Sequence, residues 1–360
     1  MSGTIGEMRR IVKSLFDEKK LSVLVGFAAG KGAAWSRPVF IRDAADSDAL
    51  VWDATCGNNL AVYLPGLVKE AARATASAPR IGLIVKGCDM RAVTALIKER
   101  QAAREDLVLI GMPCRGMLDG RKLDAGIRAA AAGSASGPGA PVQSAARSTS
   151  AGSARRLDIA EIQDRDSHIT ARMADGSEYT LMREPLLRGS CMTCMFPEAR
   201  NTDAAVSGTS RAPASAEEAD RAVKEFAALP ADRRWRRFQE EMSRCIRCYA
   251  CRQACPLCYC KECFAETNDP AWIGATAEIQ DVSIFHLGRI LHQAGRCVEC
   301  GACSAACPMG IGLDVFTKKV AADARELFGF TADFSAETPP PLCAFRDDDP
   351  QKFITEPGKG

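Results

Sequence analysis

The sequence has few of the residues, and none of the short motifs, on which hydrolytic enzymes depend. It contains only three histidines among 360 residues, and aromatic residues make up 6%. No G-x-S-x-G, H-E-x-x-H or G-x-x-x-x-G-K-[ST] pattern occurs in it. Hydrolysis by a serine or a zinc-bound water is therefore not indicated, and neither is a P-loop phosphate site.

Strong net charge and long apolar runs are also missing. The formal net charge is +2, which gives no bias toward nucleic acid. No segment is apolar enough to predict a membrane span. The first 20 residues lack the apolar core of a signal peptide and instead have the spacing of an amphipathic helix. We therefore expect an N-terminal helix over residues 1–20 and a cytoplasmic location.

Cysteine, by contrast, is abundant. The chain has 17 cysteines, most of them clustered. In a reducing compartment, clustered thiols bind metal or do redox chemistry more often than they form disulfides. The cysteines are thus the main evidence for function.

Two runs in the C-terminal third have the same spacing, C-x-x-C-x-x-C-x-x-x-C-P. They contain Cys245, Cys248, Cys251 and Cys255, and then Cys297, Cys300, Cys303 and Cys307. In bacterial ferredoxins the fourth cysteine of each run ligates the other [4Fe-4S] cluster. We therefore predict one cluster on set 1 (Cys245, Cys248, Cys251, Cys307) and one on set 2 (Cys297, Cys300, Cys303, Cys255). Zinc, bound by C-x-x-C pairs, is the alternative, but it does not need four thiols in each run.

The segment between the runs has a helical apolar period over residues 277–295. The region 220–330 therefore resembles the helical two-cluster ferredoxin domain of succinate dehydrogenase iron–sulfur subunits and heterodisulfide reductase subunits. His286 and His292 lie in the predicted helix and are interpreted as packed or solvent-facing residues, because histidine rarely ligates such clusters.

Strand and helix patterns alternate in the N-terminal half. Apolar runs predict buried strands at residues 21–29, 49–54, 80–87 and 105–112, and residues 59–76 and 90–103 have helical patterns. This alternation predicts an α+β fold, an α/β-like domain with a mixed sheet over 21–205, joined to the mainly α-helical dicluster domain. Residues 126–155, rich in Ala, Gly and Ser, are predicted to be a flexible insertion, and 331–360 an extended tail.

Four further cysteines lie where several segments of this domain could converge. Cys88 and Cys114 each follow a predicted strand, and Cys191 and Cys194 form a C-x-x-C pair. The ends of parallel strands are where α/β sheets bind ligands. These four residues, set 3, could complete a third four-thiolate site.

The motifs "VKGCDMRA", "IGMPCRGM" and "RGSCMTCMFPEARNTDAA" occur in this order. They resemble motifs of the beta subunits of coenzyme F-420-reducing hydrogenases and formate dehydrogenases. The resemblance implies a [4Fe-4S] cluster on set 3 beside FAD, with Lys86, Asp89 and Arg91 next to the flavin. The glycine-rich helix start and the Gly-Trp-Gly-like segment that usually hold flavin in that family do not occur here.

We therefore expect an iron–sulfur electron-transfer subunit of an anaerobic oxidoreductase complex of the formate dehydrogenase, hydrogenase or heterodisulfide reductase type. Its expected partners are a catalytic subunit and other iron–sulfur or flavin subunits. The alternatives are an FAD-containing subunit that itself exchanges hydride with coenzyme F-420, and a zinc-stabilised interaction module.

Five cysteines remain outside the three sets. Cys343 is predicted to be an unligated thiol, and Cys56 has no predicted role. Cys258, Cys260 and Cys263 directly follow the first ferredoxin run, which is complete without them. They are interpreted as buried or partner-facing thiols, with an additional or alternative cluster ligand as the other reading.

Overall fold

The chain folds into a mixed-sheet domain, a small antiparallel sheet and a helical C-terminal domain. The computed structural model describes residues 2–30, 33–73, 80–133 and 157–343. The strands are β1 (Val23–Gly30), β2 (Ala33–Ile41), β3 (Ile81–Val85), β4 (Leu107–Gly111), β5 (Ile159–Asp164), β6 (His168–Met173), β7 (Glu178–Met182) and β8 (Ala204–Ala205). The helices are α1 (Ser2–Asp17), α2 (Leu64–Ala71), α3 (Gly87–Lys98), α4 (Gly120–Ala131), α5 (Gly189–Met192), α6 (Ala216–Ala227), α7 (Ala231–Met242), α8 (Ala250–Gln253), α9 (Ile279–Leu291), α10 (Ala302–Ala306) and α11 (Leu313–Phe328).

The main sheet has the strand order β2-β1-β3-β4-β8. The β1–β2 pair is antiparallel, and the β1–β3, β3–β4 and β4–β8 pairs are parallel. Every residue of β3 and β4 is buried, which explains why both strands are almost continuously apolar. Since β3 and β4 are parallel neighbours, with Val85 opposite Gly111, the segments that follow them emerge at the same edge.

The second sheet, β5-β6-β7, is antiparallel, and its β6–β7 turn contains Asp175 and Gly176, a dipeptide that favours tight hairpin turns. Helix α4 packs against this sheet through Leu123 and Ile127, which are fully buried or nearly so. Residues 126–131, predicted to begin the flexible insertion, are instead the end of α4. Ala-rich sequence has high helix propensity, and Asp119 caps the helix by accepting a hydrogen bond from the Arg121 N–H. The rest of the predicted insertion, beyond residue 133, lies outside the described residues.

The helical C-terminal part has its own apolar core. The rings of Phe226 and Phe238 each pack edge-on against Phe316, with centroids 5.6 and 5.4 Å apart. Leu257 and Val298 from this part pack into the core of the first domain. The predicted α+β class, with a mixed sheet and a mainly helical C-terminal part, is confirmed.

Two local predictions differ from the structure. Residues 49–54, predicted as a strand, form only a single bridge between Leu50 and Ala28, and the segment continues as a buried loop. The first residues of the predicted tail pack on the N-terminal domain. Phe334 lies edge-on to Phe196, and the Arg91 guanidinium donates to the carbonyl oxygen of Ala332. Residues 344–360 of the tail lie outside the described residues.

The α-helices of the described residues are four to 16 residues long. None of those in 2–30, 33–73, 80–133 and 157–343 is both long and apolar enough to cross a bilayer.

Candidate metal centre

The two ferredoxin runs fold into loops with the same backbone geometry. In the first loop Arg247 and Tyr249 have left-handed φ values of 50° and 58°. The equivalent residues of the second loop, Glu299 and Gly301, have φ values of 54° and 69°. In both loops the N–H two residues after the first cysteine donates to its sulfur, from Arg247 to Cys245 and from Glu299 to Cys297. The repeat in sequence is thus a repeat in structure, with N–H donors turned toward the thiols.

The four cysteines of set 1 surround one cavity. Cys245, Cys248, Cys251 and Cys307 line an open cavity of about 320 Å³, together with apolar residues. The first three come from one loop, and Cys307 follows α10 of the other run. Burial, opposed by Arg289 and reinforced by Cys303, raises the pKa of Cys251 to about 11. The set predicted from the spacing is therefore brought together here.

His286 lies beside this cavity. Its Nε2 atom is 3.3 Å from the Cys245 sulfur, and the side chain is almost fully buried. Burial, followed by the charges of Arg289 and Arg247, lowers the pKa of His286 to about 4. His286 is thus a neutral packed residue that can hydrogen-bond a thiolate. His292 is exposed, and its ring lies against Phe264.

The sulfurs of set 2 lie close enough together to raise one another's pKa values. Burial and then the neighbouring Cys255 raise the pKa of Cys300 to about 12. Burial also raises the pKa of Cys303, with Arg289 opposing and Cys255 reinforcing the shift. The pKa of Cys297 is raised by burial and then by Glu299, Cys300 and Cys303. Cys255, from the first run, is therefore a close neighbour of the second run, as the ferredoxin pattern predicts.

Set 3 lines the larger cavity, of about 700 Å³, between the two domains. Cys88 is the second residue of α3, after β3. Cys114 follows β4, and Cys191 and Cys194 come from α5 and the residues after it. Burial and then Cys191 raise the pKa of Cys114 to about 12. All four cysteines line this cavity, and Cys88 and Cys114 converge there because parallel β3 and β4 end at the same sheet edge.

The cavity of set 3 also contains Cys300 of set 2. Burial and Asp89 raise the pKa of Cys88 well above its ordinary value, and Cys300 contributes in the same direction. Sets 2 and 3 are therefore neighbours across the contact between the two domains.

Two of the three residues predicted to face flavin, Lys86 and Arg91, form part of this cavity wall, and Asp89 is fully buried behind it. Lys86 is buried, its Nζ lies 2.9 Å from Asp89 Oδ2, and it donates to the carbonyl oxygen of Asn58 at 2.9 Å. Arg91 donates to the carbonyl oxygens of Ala332 and Val298, and its guanidinium lies over the Phe196 ring. These side chains are thus engaged in contacts within the protein. Flavin binding by Lys86, Asp89 and Arg91 stays a prediction.

Four of the remaining cysteines occupy different surroundings. Cys56 is fully buried and belongs to none of the three sets. Burial, and then the negative charge of Asp53, raises the pKa of its thiol to about 12. Cys260 and Cys343 are exposed. Cys263 lies beside Arg252. The pKa of Arg252 is raised mainly by its hydrogen bond to Glu266, and to a smaller extent by the sulfur of Cys263.

The donor chemistry fits [4Fe-4S] clusters. Each set has four thiols, which are the ligands such clusters take, and cations lie beside them to balance negative charge. Within the part of the chain that the structure describes, no three His, Cys, Asp or Glu side chains form a ready-made site for a single metal ion. The sulfurs of sets 1 and 3 instead surround cavities.

Comparison with known proteins agrees with this chemistry. Residues 241–311 match the family model described as "4Fe-4S dicluster domain". The chain is 32% identical over 112 residues to the "F420-dependent formate dehydrogenase subunit beta" of Methanocaldococcus jannaschii, which covers 31% of this chain and 28% of that protein. It is 29% identical over 105 residues to the "F420-dependent formate dehydrogenase 1 subunit beta" of Methanococcus maripaludis, covering 29% and 26%.

A solved structure of the F420-reducing [NiFe] hydrogenase complex from Methanosarcina barkeri contains a chain that aligns with 68% of this chain and 89% of its own length. The TM-score is 0.38 and the identity is 10%. The match covers just over a quarter of the length of the curated relatives. The resemblance seen in the sequence is confirmed: over about 110 residues the chain is similar to F420-dependent formate dehydrogenase beta subunits, and residues 241–311 match a 4Fe-4S dicluster domain.

Proposed function

We propose that this chain is an electron-transfer subunit that relays electrons through three [4Fe-4S] clusters, in the order set 3, set 2, set 1. The ligands would be the cysteines of the three sets. The clusters, when bound, accept and donate single electrons.

The proposal is supported mainly by one observation: set 2 lies next to each of the other two sets. Cys300 belongs to set 2 and lines the cavity of set 3. At the other end, Cys303 of set 2 raises the pKa of Cys251 of set 1. Set 2 therefore lies next to both other sets, which supports a linear series with set 2 in the middle.

The protein's own residues provide the surroundings that a relay needs. Lys86 and Arg91 at set 3 and Arg289 between sets 1 and 2 are buried cations close to thiols. Such cations offset the negative charge of cysteine-ligated clusters, and burial excludes the water that would otherwise solvate them. The packed walls thus hold the thiols in position beside buried cations.

The two ends of the series differ in exposure. Cys248 of set 1 is exposed, whereas Cys88 and Cys114 of set 3 lie between the domains. Set 1 is therefore the end that a second electron carrier can approach most closely.

The other partner would be a catalytic oxidoreductase subunit. Of the three types expected from the sequence, formate dehydrogenase is favoured, because both curated relatives carry that name.

Magnetic coupling between reduced clusters tests the order. Neighbouring paramagnetic clusters broaden and split each other's electron paramagnetic resonance signals. In dithionite-reduced protein purified without oxygen, Cys303→Ala, which removes the middle cluster, should leave two uncoupled clusters. Cys245→Ala, which removes an end cluster, should leave a coupled pair.

Two results would contradict the proposal. Coupling that survives Cys303→Ala unchanged would show that set 2 is not in the middle. Flavin released in equimolar amount on acid denaturation would favour the alternative, an FAD-containing subunit that exchanges hydride with coenzyme F-420.

A further inference from the structure

Cys258 lies in a different environment from the other two extra thiols of residues 245–263. Cys260 is exposed and Cys263 lies beside Arg252. Cys258 is partly buried, and its backbone N–H donates to the carbonyl oxygen of Cys255 at 3.1 Å. It therefore follows the proposed fourth ligand of set 2 within one tight turn of the chain.

A single side chain contacts both sulfurs. The Cys255 thiol donates to Gln293 Oε1 at 3.8 Å, and Gln293 Nε2 donates to the Cys258 sulfur at 3.6 Å. Gln293 is 2% exposed, so its amide is held in place between the two thiols. The sulfurs of Cys255 and Cys258 thus point to one location beside set 2.

A buried cation lies at the same location. Arg289 is 3% exposed, and its Nη2 donates to the carbonyl oxygen of Cys251. Its Nε and Nη1 are buried and have no hydrogen-bond acceptor. Four sulfurs lie close to its guanidinium, those of Cys303, Cys255, Cys258 and Cys251. A guanidinium with free donors in this position can stabilise a thiolate on either Cys255 or Cys258.

We propose that Cys258 is a reserve ligand of the set 2 cluster, able to take the place of Cys255 on the same iron. In the exchange the bond from iron to the Cys255 sulfur breaks and the bond to the Cys258 sulfur forms. The Cys258 proton passes to Cys255, and no electron is gained or lost. The inference rests on the proposed ligands of set 2.

Iron and acid-labile sulfide per chain, measured in protein purified without oxygen, test the exchange. Cys255→Ala and Cys258→Ala should each retain the wild-type iron content. The double variant C255A/C258A should lose about four irons, one cluster. The signal of the set 2 cluster should shift in Cys255→Ala, because its fourth thiolate comes from a new position. Cys260→Ala, an exposed thiol of the same segment, is the matched control and should resemble wild type.

Two outcomes would contradict the reserve role of Cys258. The reserve role is overturned if Cys255→Ala alone loses as much iron as the double variant. It is also overturned if the double variant keeps all its iron. The signals of the other two clusters report whether each variant is folded. If Cys303→Ala also keeps all its iron, the ligands proposed for set 2 are wrong, and that failure concerns the proposed function itself.

Discussion

A buried ion pair connects the small sheet to the wall of the set 3 cavity. The Arg183 Nε atom lies 2.7 Å from Asp164 Oδ1, and their side chains are 6% and 4% exposed. The other Asp164 oxygen accepts from the Ala54 N–H at 3.1 Å. Arg183 also donates to the carbonyl oxygens of Arg115 and Gly116, which directly follow Cys114. The pair thus supports the loop that carries one of the set 3 thiols.

Replacing Asp164 by Ala would leave the guanidinium buried without its counter-charge. Removing one partner of a buried pair costs about 3–5 kcal/mol, because the remaining charge stays desolvated. With urea m-values of about 1–3 kcal/mol/M, a loss of that size lowers the unfolding midpoint by about 2 M. The Ala54 N–H also loses its acceptor, so we expect the upper part of the range.

Glu161 on the same strand provides the matched control. It pairs with Arg172 at the surface, where the side chains are 41% and 50% exposed, and exposed pairs contribute little. Urea unfolding followed by circular dichroism should show a large shift for Asp164→Ala and almost none for Glu161→Ala. Asp164→Ala should also weaken the set 3 cluster signal. Equal midpoints for the two variants would refute this reasoning.

Two further substitutions test a cavity wall and a core. Gly87→Ala should remove about four irons, because the added Cβ would collide with the carbonyl oxygen of Phe196. Gly66→Ala is the control: its added Cβ would have no neighbouring atom within 4 Å, so this variant should keep all its iron. Phe316→Ala should lower the free energy of unfolding by about 3–5 kcal/mol, because it removes a ring packed against two others. Phe328→Ala on the same helix, 46% exposed, should change it little by comparison.

Full iron content in Gly87→Ala would contradict the assignment of the set 3 thiols. Equal urea midpoints for Phe316→Ala and Phe328→Ala would contradict the packing of the helical core.

The convergence of Cys88 and Cys114 could be predicted from sequence, because it depends on local patterns. Their strands are continuous apolar runs, which indicate parallel, doubly covered strands, and each cysteine follows its strand directly. The spacing of the ferredoxin runs likewise predicted which thiols share the set 1 cavity. Each of these predictions needed only the order of residues along short segments.

Two errors came from composition. Residues 49–54 are apolar because they lie in a buried loop, in which Trp52 Nε1 donates to the carbonyl oxygen of Pro113. The Ala-rich start of the predicted insertion is helical because Leu123 and Ile127, four residues apart, are buried on one face. Asp119 before this pair was the available signal for the helix.

The environment of Cys258 could not be predicted, because it depends on contacts distant in sequence. Gln293 is 35 residues away and Arg289 is 31 residues away, on or just after helix α9. Sequence spacing gave Cys258 no role beyond that of Cys260 or Cys263. Only the packing of α9 against the first run distinguishes the three.

Iron and acid-labile sulfide, counted per chain in protein purified without oxygen, test the three-cluster account most directly. We predict about twelve of each, with a loss of about four irons in each of Cys245→Ala, Cys303→Ala and Cys194→Ala. A content of about eight irons that Cys194→Ala leaves unchanged would contradict the third cluster. Zinc without acid-labile sulfide would contradict the account as a whole.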